Sequence, residues 1–174
     1  MILYLTSSGA VGAVRKGKAR PATAECVGPS GRAFSIMRKP RPDYGELLDG
    51  RVLAFTPPLR LFEAVWAARE GDGADAAWEV YEAALRARWT APSHLRRLLP
   101  GELRYALPAR RYDPEAADWD GERWAPGPPL GDGDTLCCGC GAETARAGRC
   151  HRVIAAELLR SVGWDVVLDG RRLT

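Results

Sequence analysis

The sequence predicts an α/β fold, a three-layer sandwich with a mainly parallel sheet and a proline-rich excursion. Short apolar segments rich in β-forming residues alternate with longer segments whose apolar residues recur at helical spacing. Toward the carboxyl end, residues 135–138, 152–161 and 164–168 predict a strand, a helix and a strand. This order is that of a βαβ unit, in which the two strands are parallel and the crossover is right-handed.

The composition is that of an ordinary globular protein. The chain has 174 residues, of which 46% are apolar and 27% are charged, and this length predicts one domain over residues 1–174. Its apolar runs fall far short of the roughly 20 residues that a membrane span needs. Residues 1–5 have no basic start, so they predict a first strand and not a signal peptide. We therefore expect a cytoplasmic protein with no membrane partner.

The first half of the chain predicts three strands followed by three helices. Residues 2–6, 33–37 and 51–55 are short, apolar and rich in β-forming side chains, and the region between the first two is interrupted by glycine and proline, as a loop would be. Helices are expected over residues 59–69, 75–89 and 93–99. In the second helix, the side chains at helical spacing predict core packing; they are Trp78, Tyr81, Leu85 and Trp89.

Two later segments predict connections. Residues 108–132 are rich in proline, glycine and acidic residues and are too long for an ordinary connection. They predict an excursion or lid within the single domain. Asp169 and Gly170 follow the last predicted strand and are typical of a tight turn.

Chemically useful side chains follow three of the predicted strands. Thr6 and Ser7 follow the first, Arg38 follows the second, and the segment from Cys137 to Arg152 follows the late strand. Ligands of open parallel sheets bind beyond the carboxyl ends of the strands, where such loops meet. We therefore expect Thr6, Ser7, Arg38 and Arg152 to bind an anionic ligand together. The alternative for Arg152 is an internal ion pair, for example with Glu157 or Asp134.

The segment from Cys150 to Arg152 is the predicted catalytic site. A helix that begins near Cys150 directs N–H groups and a positive dipole toward that residue, which favours a thiolate and a bound anion. Cys150 is therefore the candidate nucleophile, or alternatively Cys137 and His151 act as acid/base partners. Cys26 lies in a loop without chemically notable sequence neighbours and predicts no role.

These segments resemble the domain-of-unknown-function family numbered 488. Leu136-Cys137 followed by residues 150–159 resembles its Cys…Cys-His-Arg signature. Residues 4–8 are similar to its opening strand and Thr-Ser loop, residues 35–40 to its second strand, and residues 53–59 to the segment before its first long helix. The resemblance covers most of the chain outside 108–132. It implies the architecture and the position of the site, and no particular reaction.

Extra cysteines distinguish this chain from that family. The family has one cysteine on the strand, whereas this chain has Cys137, Cys138 and Cys140. The extra thiols resemble those of a phage-associated family whose strand reads Cys-x-Cys before a Cys-His. Cys138, Cys140, Cys150 and His151 also have the side-chain types of a tetrahedral zinc site. The third alternative is that these cysteines are buried structural residues.

Taken together, these features predict an enzyme that acts on an anionic small molecule, such as a nucleotide or nucleic-acid component, through the Cys-His-Arg loop. The alternative is a non-catalytic module that binds nucleic acid or zinc. Zinc is the one cofactor that the cysteines suggest. The sequence predicts neither the substrate, the reaction class nor the oligomeric state.

Overall fold

A computed structural model describes residues 1–37, 48–68, 73–108, 124–139 and 149–173 of the protein. The described residues form eight strands, six α-helices and one 3₁₀ helix. The strands are β1 Ile2–Ser7, β2 Ala33–Ser35, β3 Gly50–Arg51, β4 Arg104–Pro108, β5 Trp124–Pro129, β6 Asp134–Cys138, β7 Asp165–Leu168 and β8 Arg171–Leu173. The α-helices are α1 Ser8–Arg15, α2 Pro21–Ala24, α3 Leu59–Ala68, α4 Ala74–Trp89, α5 Pro92–Leu98 and α6 His151–Ser161, and the 3₁₀ helix is Leu53–Phe55.

All eight strands belong to one sheet in the order β5-β4-β3-β2-β6-β1-β7-β8. The four pairings from β3 through β7 are parallel, and the three outer pairings are antiparallel. The α/β class is therefore confirmed, whereas a mainly parallel sheet is not, because the sheet is mixed. β1 is parallel to both β6 and β7, so the carboxyl ends of these three strands lie at the same edge of the sheet.

Two clusters of buried side chains form the core. The larger cluster contains Leu136 of β6, together with Leu85 of α4 and Ile154 of α6. The smaller cluster contains Cys137 of β6 and Val11 of α1. Because successive residues of a strand point to opposite faces of its sheet, the two clusters lie on opposite faces of β6. A three-layer arrangement of the whole chain stays a prediction.

The helices of the middle segment agree with the sequence. The predicted helices over 59–69, 75–89 and 93–99 correspond to α3, α4 and α5 within one residue at each end. Tyr81, Leu85 and Trp89 are buried, and Trp78 packs against the same cluster, as their spacing predicts. In the described residues no helix is both long and apolar enough to cross a membrane.

Three expectations about connections need correction. The segment after β1 is not a loop, because α1 begins at Ser8 and α2 follows it. The strand expected over 51–55 is only β3, since a 3₁₀ helix starts at Leu53. Part of the expected excursion is sheet, because β5 pairs antiparallel with β4, while residues 109–123 lie outside the described residues.

Candidate functional site

Four elements meet at the carboxyl edge of the central strands. Ser7 at the end of β1 is in register with Cys138 at the end of β6. Leu5 of β1 is in register with Leu168, the last residue of β7. Helix α6 begins at this edge, with Cys150 at its N-cap. The carboxyl ends of three parallel strands and one helix N-terminus therefore lie together here, at the edge where such sheets bind ligands.

A buried ion pair links these elements. Arg152 donates from Nη2 to Oδ2 of Asp169 at 2.8 Å, and the Arg152 side chain is fully buried while that of Asp169 is 33% exposed. The Thr6 hydroxyl donates to Oδ1 of the same carboxylate at 3.2 Å. Arg152 thus forms an internal ion pair, which was the alternative to a ligand contact, and its partner is Asp169 and neither of the two examples, Glu157 and Asp134. Asp169 is the main site residue that sequence reasoning missed.

Asp169 is held by the turn between β7 and β8. It has a φ of 48° and Gly170 a φ of 80°, and Leu168 pairs with Arg171 across them. Two positive φ values in a two-residue hairpin loop match a type I′ turn, for which Asp-Gly is a preferred sequence. The predicted turn is therefore confirmed. The backbone N–H of Asp169 donates to Leu5 O at 2.9 Å, which fixes the carboxylate beside β1.

Two thiols lie in contact, and one of them contacts the Arg152 guanidinium. The sulfurs of Cys138 and Cys150 are 3.4 Å apart, and Nη1 of Arg152 donates to the Cys138 sulfur at 3.4 Å. Both cysteines are fully buried. Burial alone lowers the pKa of Arg152, but the charges of Cys138, Cys150 and Asp169 outweigh it and raise that pKa overall. The guanidinium therefore stays charged and places a cation against the Cys138 sulfur.

His151 is held as a neutral imidazole. Its Nε2 lies 3.1 Å from the carbonyl oxygen of Ile36. Because a carbonyl can only accept, Nε2 carries the proton and the lone pair is on Nδ1. Burial lowers the pKa of His151, and the charge of Arg152 acts in the same direction. The ring is therefore suited to accept a proton at Nδ1.

The other predicted residues lie apart from this cluster or outside the described residues. Cys137 belongs to the smaller core cluster on the opposite face of β6, and burial raises its pKa. The Ser7 hydroxyl accepts from Ala10 N at 3.2 Å and caps helix α1. Arg38 and Cys140 lie outside the described residues. The structure therefore brings together Thr6, Cys150 and Arg152, and it gives Cys137 and Ser7 other contacts.

Cys26 is a neighbour that sequence reasoning dismissed. Its Sγ donates to Ala22 O at 3.2 Å, and the residue is half-buried. Burial raises the pKa of Cys26, as does the charge of Asp169, while a hydrogen bond with Thr6 lowers it. The thiol is thus close to the Thr6–Asp169 contact. No sequence signal joins Cys26 to that contact, because Cys26 is distant along the chain from both Thr6 and Asp169.

A groove opens on the other side of the Asp169–Gly170 turn. Its volume is about 440 Å³, and its lining residues include Tyr4, Glu25, Val27, Val167, Gly170 and Arg172. This volume lies within the range of roughly 300–1,000 Å³ for small-molecule sites. Arg172 donates to Asp165 at the rim. The groove is therefore a further candidate place for a small ligand.

The described part of the zinc set is incomplete. Cys138 and Cys150 are adjacent, but Nε2 of His151 is directed at Ile36 O. Within the described ranges, no group of three or more cysteine, histidine or acidic side chains is arranged to hold a metal ion. The Arg152 cation beside Cys138 also opposes a second positive charge at the sulfurs.

No protein-family model, curated protein or solved structure matches this chain. The resemblance to the domain-of-unknown-function family numbered 488 therefore stays a prediction.

Proposed function

We propose that this chain is a cysteine-dependent enzyme that acts on an anionic small molecule, such as a nucleotide or nucleic-acid component, at the start of α6. The observation that carries the proposal is the contact of a buried, charged guanidinium with the Cys138 thiol, which itself contacts the Cys150 thiol at the carboxyl edge of the sheet. A cation in contact with a sulfur favours the reactive thiolate. Core cysteines without a chemical role need no such partner.

The helix terminus supplies the second part of the proposed site. The Cys150 side chain makes no capping hydrogen bond to α6, whereas Ser7 caps α1. First-turn N–H groups and the helix dipole favour an anionic group at such an end. In this proposal the anion binds at the N-terminus of α6, and Cys150 is the nucleophile.

Arg152 and His151 have separate roles in the proposed reaction. Arg152 is already paired with Asp169, so it acts through the thiols and positions them instead of gripping the ligand. His151 is neutral, and its Nδ1 takes up a proton. Cys137 has no part in the proposed reaction, because it is buried on the opposite face with a raised pKa.

The test is alkylation of the folded protein with iodoacetamide across pH, with and without nucleoside 5′-monophosphates. We expect Cys150 to be alkylated in the folded protein at neutral pH, and a nucleotide to slow the reaction at least tenfold. Cys150→Ser removes the reactive site, whereas Cys137→Ser leaves it. If Cys150 becomes reactive only after unfolding, it is a structural cysteine and the proposal fails.

A matched variant distinguishes the two candidate binding places. Arg172→Ala removes a guanidinium from the groove and leaves α6 untouched. We expect this variant to keep nucleotide protection of Cys150. Loss of protection in Arg172→Ala would move the ligand to the groove and overturn the site at α6.

The zinc-binding alternative rests on the 3.4 Å approach of the Cys138 and Cys150 sulfurs, since neighbouring thiolates are common zinc ligands. It predicts stoichiometric zinc in protein purified without chelator and unfolding when the metal is removed. Metal analysis decides between the readings. Zinc-free protein that stays folded in chelator excludes the alternative.

A further inference from the structure

The Cys138–Cys150 pair has the geometry of a dithiol close to oxidation. The sulfurs are 3.4 Å apart and lie on separate elements, β6 and the N-cap of α6. A disulfide has a sulfur–sulfur distance of about 2.05 Å, so the two atoms need to approach by about 1.4 Å. Side-chain rotation at the start of a helix can supply a movement of this size.

The surroundings of the two sulfurs make them unequal. Nη1 of Arg152 donates to the sulfur of Cys138. In the oxidation, the thiolate of Cys138, which the guanidinium contacts, attacks the peroxide, and Cys150 is the resolving thiol. Cys137 is the natural contrast, because it is the adjacent residue but lies on the opposite face of the strand.

The burial of both thiols restricts the oxidant. Cys138 and Cys150 are fully buried, so a small oxidant reaches them with less opening of the fold than a bulky disulfide needs. Hydrogen peroxide is close to water in size and needs only a small opening. The structure thus favours a small hydroperoxide over thiol–disulfide exchange.

We propose that Cys138 and Cys150 form an intramolecular disulfide when a hydroperoxide oxidises the protein. The Cys138 thiolate attacks one peroxide oxygen, the O–O bond breaks, and the departing hydroxide takes up a proton to give water. Cys138 is then a sulfenic acid. The Cys150 sulfur attacks the Cys138 sulfur, the S–O bond breaks, and a second water leaves with the Cys150 proton. Two thiols are oxidised, and one peroxide is reduced to two waters.

The product would join the end of β6 to the start of α6. If the proposed function holds, the disulfide also consumes the Cys150 nucleophile, so that oxidation switches the enzyme off and a thiol reductant restores it. That consequence alone rests on the proposed function. Formation of the disulfide does not.

The experiment treats the full chain with one equivalent of hydrogen peroxide, blocks the remaining thiols under denaturing conditions and maps tryptic peptides by mass. Trypsin cleaves after Arg123, Arg146, Arg149 and Arg152, so Cys150 leaves in a three-residue peptide and the other late cysteines in residues 124–146. We expect these two peptides to be linked, with the loss of two blockable thiols, and the link to disappear in reductant. An unlinked pair of peptides overturns the proposal.

Three serine variants identify the partner of Cys150, because the longer peptide carries three cysteines. Cys138→Ser should abolish the link, whereas Cys137→Ser and Cys140→Ser should retain it. Fragmentation of the linked wild-type peptide between Cys137 and Cys138, and again between Cys138 and Cys140, gives the same information without any variant, so a poorly folded variant does not decide the result. A link through Cys137 or Cys140 overturns the assignment. No nucleotide is involved in this experiment. Its result is therefore independent of whether a nucleotide protects Cys150 from alkylation.

Arg152→Lys tests the activation of Cys138. An ammonium on a flexible stem does not reproduce the planar guanidinium between Asp169 and the sulfur. We expect oxidation at pH 7 to slow about tenfold or more, since one pKa unit changes the thiolate fraction about tenfold. The difference should shrink as the pH rises above the thiol pKa. An unchanged rate at pH 7 would show that Arg152 does not activate the pair.

Discussion

Two arginine–aspartate pairs lie at opposite ends of the central strands, and their burial is inverted. At the amino end, the Asp134 side chain is fully buried while Arg32 is 39% exposed. At the carboxyl end, the arginine, Arg152, is fully buried, and the aspartate, Asp169, is 33% exposed. In both pairs one charge is held in the interior and its partner reaches solvent.

The contacts of the two buried groups differ in kind. Asp134 accepts from Arg32 Nε and Nη2, from the Ser30 hydroxyl and from Gly131 N, all at 2.6–2.8 Å. Arg152 donates to one carboxylate and to a sulfur. A buried carboxylate with four donors is fully hydrogen-bonded, as a structural role requires. A guanidinium directed at a polarisable, titratable thiol has a contact that chemistry can change, so the carboxyl end is the candidate site.

Removing the exposed partner should be most damaging at the amino end. Arg32→Met keeps an apolar stem but leaves the buried Asp134 carboxylate without its cation, which we expect to lower the free energy of unfolding by about 3 kcal/mol. Asp134→Asn leaves a hydrated guanidinium and should lower it by only about 1 kcal/mol. Urea denaturation of both variants measures the difference. Equal losses would contradict the inverted burial.

At the carboxyl end the order of the two variants should reverse. Asp169→Asn keeps a residue that tolerates positive φ but leaves the buried Arg152 without its carboxylate, with an expected loss of about 2 kcal/mol. Arg152→Met leaves a partly hydrated carboxylate and should cost about 1 kcal/mol or less. The same denaturation series gives both values. A larger loss for Arg152→Met than for Asp169→Asn would show that Arg152 matters mainly through its own packing.

Asp169→Asn should also change the thiols. Without the carboxylate, the guanidinium is neutralised less and stabilises the thiolate at Cys138 more strongly. We expect alkylation or peroxide oxidation of the Cys138–Cys150 pair at pH 7 to become up to about tenfold faster. Asp165→Asn is the control, because it removes a carboxylate from the neighbouring Arg172 pair. Equal acceleration in both variants would point to a general loosening of the fold.

The smallest effect concerns His151 and pH. Its folded-state pKa is lowered by burial, so the unfolded chain binds the proton first as the pH falls below about 6.5. Stability is therefore full above that pH and declines below it, with a slope that approaches about 1.4 kcal/mol per pH unit. His151→Gln keeps a donor for Ile36 O and removes one titrating group. It should therefore lower the slope of stability against pH by up to about 1.4 kcal/mol per pH unit. His94→Gln should also reduce the slope, since burial lowers the pKa of His94 too. A free energy of unfolding that does not change between pH 7 and pH 5 in the wild-type protein would contradict the lowered pKa of both histidines.

The helical spacing of apolar residues and the residue types of turns made much of the fold predictable. The helical spacing of Tyr81, Leu85 and Trp89 is local information, and so is the Asp169-Gly170 pair. Helix α1 was missed because Gly9 and Gly12 each cost about 1 kcal/mol of helix propensity relative to alanine. The Ser7 cap and the burial of Val11 offset that cost, and only the second requires the tertiary structure.

The place of the candidate site in the fold was predictable from the sequence, but the contacts between its side chains were not. Placement of the Cys150 segment at a sheet edge follows from the strand–helix–strand order. The pairing of Arg152 with Asp169 depends on β7 lying beside β1, in a register that no local pattern encodes. The opposite faces of Cys137 and Cys138 follow from the two-residue period of a strand. Which face carries the site, however, depends on where α6 packs.

The hairpin turn makes a double demand on position 169. Its backbone, with a φ of 48°, suits asparagine, aspartate and glycine, while its contacts with Thr6 and Arg152 require a short anionic side chain. Asparagine tolerates the positive φ but lacks the charge. Glutamate has the charge but neither the short side chain nor the tolerance of a positive φ. In a saturation library at this codon, selection for a folded hairpin would accept asparagine and glycine. Selection for normal reactivity of the Cys138–Cys150 thiols at neutral pH would distinguish aspartate from asparagine and glycine. Comparing the residues enriched by the two selections would separate the structural requirement at position 169 from the functional one.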